Sequence, residues 1–135
     1  MTGSRYMLDT NIVSDLVRNP QGAVFDKIVE IGSDNLCVSI ITAAELRYGC
    51  ARKGSPRLLQ QVEAILSGLE ILPLDVPADA EYGGIRAELE AAGKPIGPND
   101  LLIAAHAYAL GATLVTANVG EFTRIRGLRV ENWLV

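Results

Sequence analysis

The sequence predicts an α/β sandwich, a central parallel sheet flanked by helices on both faces, and three observations predict it. Short apolar runs alternate with stretches of helical periodicity along the whole chain, and no internal repeat interrupts that order. Residues 36–41 and 113–116 read as buried strands, short and bounded by turn or capping residues. The 135 residues, with a hydrophobic fraction of 49%, suffice for one core, so the chain reads as a single domain over residues 1–135.

The elements follow in order. Tyr6-Met7-Leu8 is the first apolar run and ends at Asp9, after which Thr10-Asn11 offers helix-capping chemistry. Ile12, Val13, Leu16 and Val17 recur at helical spacing until Asn19-Pro20 stops the pattern. A second helix runs through Val24, Ile28 and Val29 and ends near Gly32. Residues 36–41 read as a buried strand, and a helix follows to about Lys53, with Thr42 as N-cap and Glu45 at capping-box spacing. Gly54-Ser55-Pro56 breaks the chain and opens an amphipathic helix over 57–66. Ile71-Leu72-Pro73-Leu74 is a short strand whose proline places it at an edge or a strand end. Residues 77–92 form a helix closed by Gly93, and 94–98 a stiff loop. A helix that is apolar nearly all round opens at Asn99 or Asp100 and ends at Gly111, which makes it central. Thr113-Leu114-Val115-Thr116 is a buried strand, and residues 128–130 are a last one.

Composition removes several function classes. A net charge of −4 excludes a uniformly basic protein that coats nucleic acid, although a local basic patch is compatible with it. The two cysteines, Cys37 and Cys50, form no C-x-x-C pair, which argues against zinc ribbons and disulfide scaffolds and fits a reducing interior. No apolar run reaches the length of a membrane span, and Asp9 interrupts the N-terminus before a signal-peptide core develops. The expected location is cytoplasmic.

In an open parallel sheet, ligands bind beyond the carboxyl ends of the strands. Asp9 ends the first strand, Glu45 lies one turn into the helix after the second, and Asp100 opens the central helix. Asn118 and Glu121 follow the strand that ends at Thr116. Each has an ordinary explanation as a cap, a turn residue or a solvated charge. Their joint placement at one sheet edge is what singles them out. Two carboxylates about 4 Å apart repel by about 4 kcal/mol at an effective dielectric near 20, so a group of them needs protons or a cation. All-oxygen donors select a hard divalent ion, Mg²⁺ or Mn²⁺, and such an ion suits the hydrolysis of phosphodiesters.

These residues also carry a family resemblance. Leu8-Asp9-Thr10-Asn11 resembles the first motif of PIN-domain nucleases, and Thr42-Ala43-Ala44-Glu45-Leu46-Arg47-Tyr48-Gly49 the second. Pro98-Asn99-Asp100-Leu101-Leu102-Ile103-Ala104-Ala105-His106-Ala107 is similar to the third, and Leu114-Val115-Thr116-Ala117-Asn118-Val119-Gly120-Glu121-Phe122 to the fourth. The length and motif order are similar to those of the VapC toxins of bacterial and archaeal toxin–antitoxin pairs. The resemblance implies a PIN-like three-layer sandwich and a Mg²⁺- or Mn²⁺-dependent endoribonuclease that hydrolyses RNA through a metal-activated water. It further implies a homodimer and a VapB-type antitoxin partner, with DNA contact only through that partner.

Carried over position by position, the resemblance makes Asp9 and Asp100 the main metal ligands, and Glu45 completes the catalytic triad of acids. Asn118 stands where many PIN domains place Asp, an oxygen donor without charge, and Glu121 is the residue that would restore the charge through water. Thr10, Asn11 and Thr116 then orient carboxylates or water. The alternative is a non-catalytic PIN-like binding or regulatory module, against which the retention of Asp9, Glu45 and Asp100 weighs.

Arg47, Arg52 and Lys53 are the expected RNA contacts, clustered with Arg57 across one helix and the next turn; Arg124, Arg126 and Arg129 form a second basic cluster. His106, the single histidine, points away from the face that carries Asp100 and is expected to be structural. Tyr108, Phe122 and Trp133 are expected in packing or a dimer contact, because an aromatic content of 5% is too low for serial base stacking.

Overall fold

Five parallel strands form the centre of the molecule, in the order β3-β2-β1-β4-β5. The computed structural model describes residues 5–134. Strand β1 (Tyr6–Leu8) lies in the middle, paired with β2 (Leu36–Ser39) on one side and β4 (Thr113–Val115) on the other; β3 (Glu70–Leu72) and β5 (Val130–Glu131) are the edges. The register sets Met7 beside Cys37 and Leu114, and Leu8 beside Val115. Because successive side chains point to opposite faces, this register divides the apolar residues into two cores. Leu8, Val38 and Val115 face one way and pack with Ile12, Leu46 and Val62. Met7, Cys37 and Leu114 face the other way and pack with Ile103, Ala104 and Phe122.

The helices follow from that division. Helices α1 (Thr10–Arg18), α2 (Ala23–Ile31), α3 (Ile40–Lys53) and α4 (Pro56–Ser67) bring Ile12, Val24, Leu46 and Val62 to the first core. Helices α5 (Ala78–Ala91), α6 (Pro98–Leu110) and the short α7 (Val119–Phe122) cover the second with Leu89, Ile103 and Phe122. Six buried residues on α6, from Leu101 to Ala107, account for its all-round apolar sequence. Gly111 ends α6 at φ 67, a left-handed conformation that glycine adopts without a Cβ penalty, and the chain enters β4 two residues later. Pro73 follows directly on edge strand β3, as expected of a residue that cannot donate to a ladder.

Several elements differ from expectation: α6 opens at Pro98, β4 ends at Val115, and β5 covers Val130–Glu131 and not 128–130. Ser39, not Thr42, caps α3: its Oγ accepts the Ile41 N–H at 3.1 Å, and the helix begins at Ile40. The β-branched pair Ile40-Ile41 reads as strand, yet it already forms the first helical turn. Thr42 is fully buried inside that turn, and its hydroxyl has no hydrogen-bond partner. Helix α7 has only four residues, too few to leave a periodic signal.

Since every strand is parallel, Asp9, Ser39 and Thr116 all emerge at the same edge of the sheet. No helix among the described residues is long and apolar enough to cross a membrane.

Candidate active site

Asp9 is the most buried acid at that edge, with 2% of its surface exposed. Its backbone N–H continues the ladder to the Val115 carbonyl at 2.8 Å, so the strand itself sets the carboxylate's position. Oδ1 accepts the Thr10 N–H at 2.8 Å, and Oδ2 accepts the Thr116 hydroxyl at 2.8 Å and the Asn11 amide at 3.4 Å. Asp9 therefore caps α1 and serves the site with the same group. Burial pushes its carboxyl above the ordinary range, the bonds from Thr116 and Thr10 oppose that rise, and Glu45 and Glu121 add to it.

Asn11 and Thr116 tie β1 to the loop after β4. The Asn11 side-chain Oδ1 accepts the Ala117 N–H at 3.1 Å, and Thr116 Oγ1 accepts the Asn118 N–H at 3.0 Å. Glu45, on the second turn of α3, is held at both oxygens, Oε1 by the Thr10 hydroxyl and Oε2 by the Asn99 amide at 3.2 Å. It forms no capping box, because the helix starts two residues before Thr42. Asn99 is a site residue that sequence reasoning used only to open a helix; its place beside Asp100 in the first turn of α6 was the available signal.

Asp100 sits in that first turn, where the helix dipole favours an ionised carboxylate by about 0.3–1 kcal/mol. Other effects win. Burial, then hydrogen bonding with Glu121, then the charges of Glu121, Asp9 and Glu45 raise its carboxyl to about 7. Asn118 is exposed and enters the arrangement through its backbone N–H.

None of these four acids takes part in an ion pair among the described residues. The donor set is all oxygen, acidic and without a protein counter-cation, which fits a hard divalent ion. The carboxylates are braced from behind by Thr10, Asn11, Asn99 and Thr116, yet among the described residues no three are drawn to metal-ligand spacing.

The basic side chains divide differently from expectation. Arg47 forms two bonds to Glu63, at 2.8 and 2.9 Å, and thereby joins α3 to α4. Arg52 and Lys53 form no ion pair among the described residues, and Lys53 lines a cleft with Thr10 and Glu45. Arg126 pairs with Glu88, while Arg129 donates to the Gly111 carbonyl and to Thr113 Oγ1.

His106 is buried on α6 as expected, with Nδ1 at 2.8 Å from Ser39 Oγ. Phe122 and Trp133 are buried in the two cores, whereas Tyr108 is partly exposed and packs over Gly127.

Comparison with known proteins agrees with this arrangement. The PIN domain family matches residues 6–128. A tRNA(fMet)-specific endonuclease VapC of Shigella flexneri is 38% identical over 130 residues, covering 96% of this chain and 98% of the relative. Ribonuclease VapC2 of Haemophilus influenzae is 42% identical over 131 residues, with 96% and 98% covered. The DNA-bound VapBC crystal structure from Salmonella typhimurium superposes with a TM-score of 0.88 at 39% identity, over 97% of this chain and 99% of that one. A single acid-edged sheet, matched nearly end to end in sequence and fold, places the chain in the PIN-domain family, among the VapC ribonucleases.

Proposed function

We propose that Asp9, Glu45 and Asp100 form the catalytic centre of a Mg²⁺- or Mn²⁺-dependent endoribonuclease, the toxin of a VapBC-type pair. The observation that carries this reading is the convergence of Asp9, Glu45, Asp100 and Glu121 with no basic side chain paired to any of them. Asp9, Asp100 and Glu45 would hold the ion, with Glu121 and Asn118 as further oxygen donors. When bound, it supplies Lewis acidity toward the phosphodiester and lowers the pKa of water.

The chain's own residues do the rest. Thr116 and Thr10 hold Asp9 in one orientation, and their donated bonds favour its ionised form against burial. Asn11 keeps the β4 loop against β1, and Thr10 and Asn99 fix Glu45. Burial and the neighbouring Glu121 keep the Asp100 carboxyl raised, to about 7. Arg52 and Lys53 contact RNA phosphates from the α3 side, whereas Arg47 is committed to Glu63.

Relatives named tRNA(fMet)-specific endonuclease make that tRNA the first substrate to test, and solved VapBC complexes support a VapB-type antitoxin through which DNA is contacted. Exposed Ile40, Leu74 and Val76 follow the adjacent strands β2 and β3 and support a homodimer.

The test is cleavage of tRNA(fMet) and of a mixed RNA pool by the purified chain with Mg²⁺ or Mn²⁺, against EDTA and Asp100→Asn. Cuts that vanish in both controls are expected. Cleavage that survives EDTA or Asp100→Asn would overturn the acid-centred reading.

A further inference from the structure

We propose that an open groove between the α5–α6 loop and the end of α7 is a phosphate-binding subsite for the RNA strand, with Lys94 and Arg124 as its cations. The inference rests on the ribonuclease reading and states where the strand lies. The groove, of about 620 Å³, is lined by Gly93, Lys94, Pro95, Gly120, Thr123 and Arg124, a lining with two positive charges and no carboxylate. That is unusual for an acidic protein, in which six of the 12 Lys and Arg side chains pair with Asp or Glu among the described residues. Lys94 and Arg124 are in none of those pairs. Arg124 also borders a cleft with Glu88, but Glu88 is taken by Arg126.

Arg124 is aimed by its bond to the Pro95 carbonyl at 3.4 Å, which also ties the loop to the end of α7. Gly93 and Gly120 present bare backbone, with open space where a side chain would stand, so a phosphate can approach closely. Thr123 contributes a hydroxyl to the lining. Two like charges in one groove repel each other, and an anion between them removes that cost.

The position of the groove is what connects it to catalysis. Gly120 lines the groove and immediately precedes Glu121 in α7, so the groove and one of the site's acids share that helix. Lys53 stands on the other side of the acids, in the cleft with Thr10 and Glu45. A strand held at both places carries its intervening phosphodiester across the carboxylates. The recognition is of backbone charge, which positions RNA without specifying sequence.

The test uses the full chain carrying Lys94→Gln with Arg124→Gln, and Lys94→Gln alone as the milder variant. Binding of labelled tRNA(fMet) and of a labelled single-stranded RNA pool is followed by anisotropy in an Asp100→Asn background, and cleavage is followed in the active chain. The double variant is expected to raise Kd and KM about tenfold with kcat within about twofold, and to reduce the salt slope by about 1.4 for two lost single-strand phosphate contacts. The single variant should show about half that slope change, Lys94→Arg with Arg124→Lys should restore parental binding, and Lys27→Gln on α2 should change nothing. If the parent binds and cleaves RNA while the double variant keeps its Kd, KM and salt slope, the subsite is overturned and the ribonuclease reading stands. If the parent neither binds nor cleaves either RNA, that reading falls and the subsite with it.

Discussion

Thr116 donates its hydroxyl to Asp9 Oδ2 at 2.8 Å across the boundary between β4 and β1, from a side chain as fully buried as the carboxylate it serves. The same oxygen of Thr116 accepts the Asn118 N–H, so one hydroxyl fixes both the acid and the turn that leads to Glu121. A hydrogen bond to a charged group contributes about 1.5–3 kcal/mol, and this one works against the burial that raises the Asp9 carboxyl.

Thr116→Val removes that donor at nearly constant volume. Asp9 then rises further, and the Asn118 N–H loses its acceptor. Mn²⁺ affinity should fall about 10–100-fold by calorimetric titration, the range typical of lost outer partners of metal ligands. Thr116→Ser should retain it. Equal affinities in parent and Thr116→Val would contradict the role given to this bond.

Asp100 makes the metal-free protein less stable as pH rises. Its folded carboxyl lies at about 7 against an ordinary 3.8, so the native state holds a proton that the unfolded chain has released. The contribution is fully present below 3.8 and is lost as pH rises through about 7. Denaturant titrations without metal should show stability declining over that window, and Asp100→Asn should flatten the decline while abolishing cleavage. Mn²⁺ added at pH 6 should release a proton, measurable by titration in two buffers of different ionisation enthalpy. Glu121→Gln removes the main charge beside Asp100 and should move the metal-binding midpoint to lower pH.

Asp9, Glu45 and Asp100 were legible because strand ends and helix starts in an open parallel sheet are where polar residues meet. Their bracing was not. Glu45 is held by Asn99 from 54 positions away and by Thr10 from 35, distances that periodicity does not register. The start of α3 was misplaced because β-branched residues read as strand, and here burial of the turn overrode that propensity. Arg47 looked available for RNA because its partner lies 16 residues on, across the packing of α3 on α4.

Arg47→Met tests that reassignment. Both partners of the Arg47–Glu63 pair are about half exposed, so solvent screening keeps its worth small even with two bonds. Chemical denaturation should register a small loss, and RNA affinity should change less than twofold. A tenfold loss of RNA affinity at unchanged stability would return Arg47 to the substrate path.

Ser39 and His106 join the cap of the Glu45 helix to the middle of the Asp100 helix at 2.8 Å. Ser39 Oγ accepts the Ile41 N–H and also pairs with His106 Nδ1. Burial holds His106 below its ordinary value, which favours the neutral ring. The sign is opposite to that of Asp100: stability from His106 is present above 6.5 and is lost as pH falls through the lowered folded value. Ser39→Ala leaves buried Nδ1 without its partner and should cost about 1–3 kcal/mol at pH 7. With that partner gone the folded value moves back toward 6.5, so the stability lost on acidification should become smaller. Glu45 and Asp100 also lose a fixed link between their helices, so KM for RNA should hold while kcat falls. A Ser39→Ala protein with parental stability, acid limb and kcat would show that the bond carries neither the fold nor the spacing of the two acids.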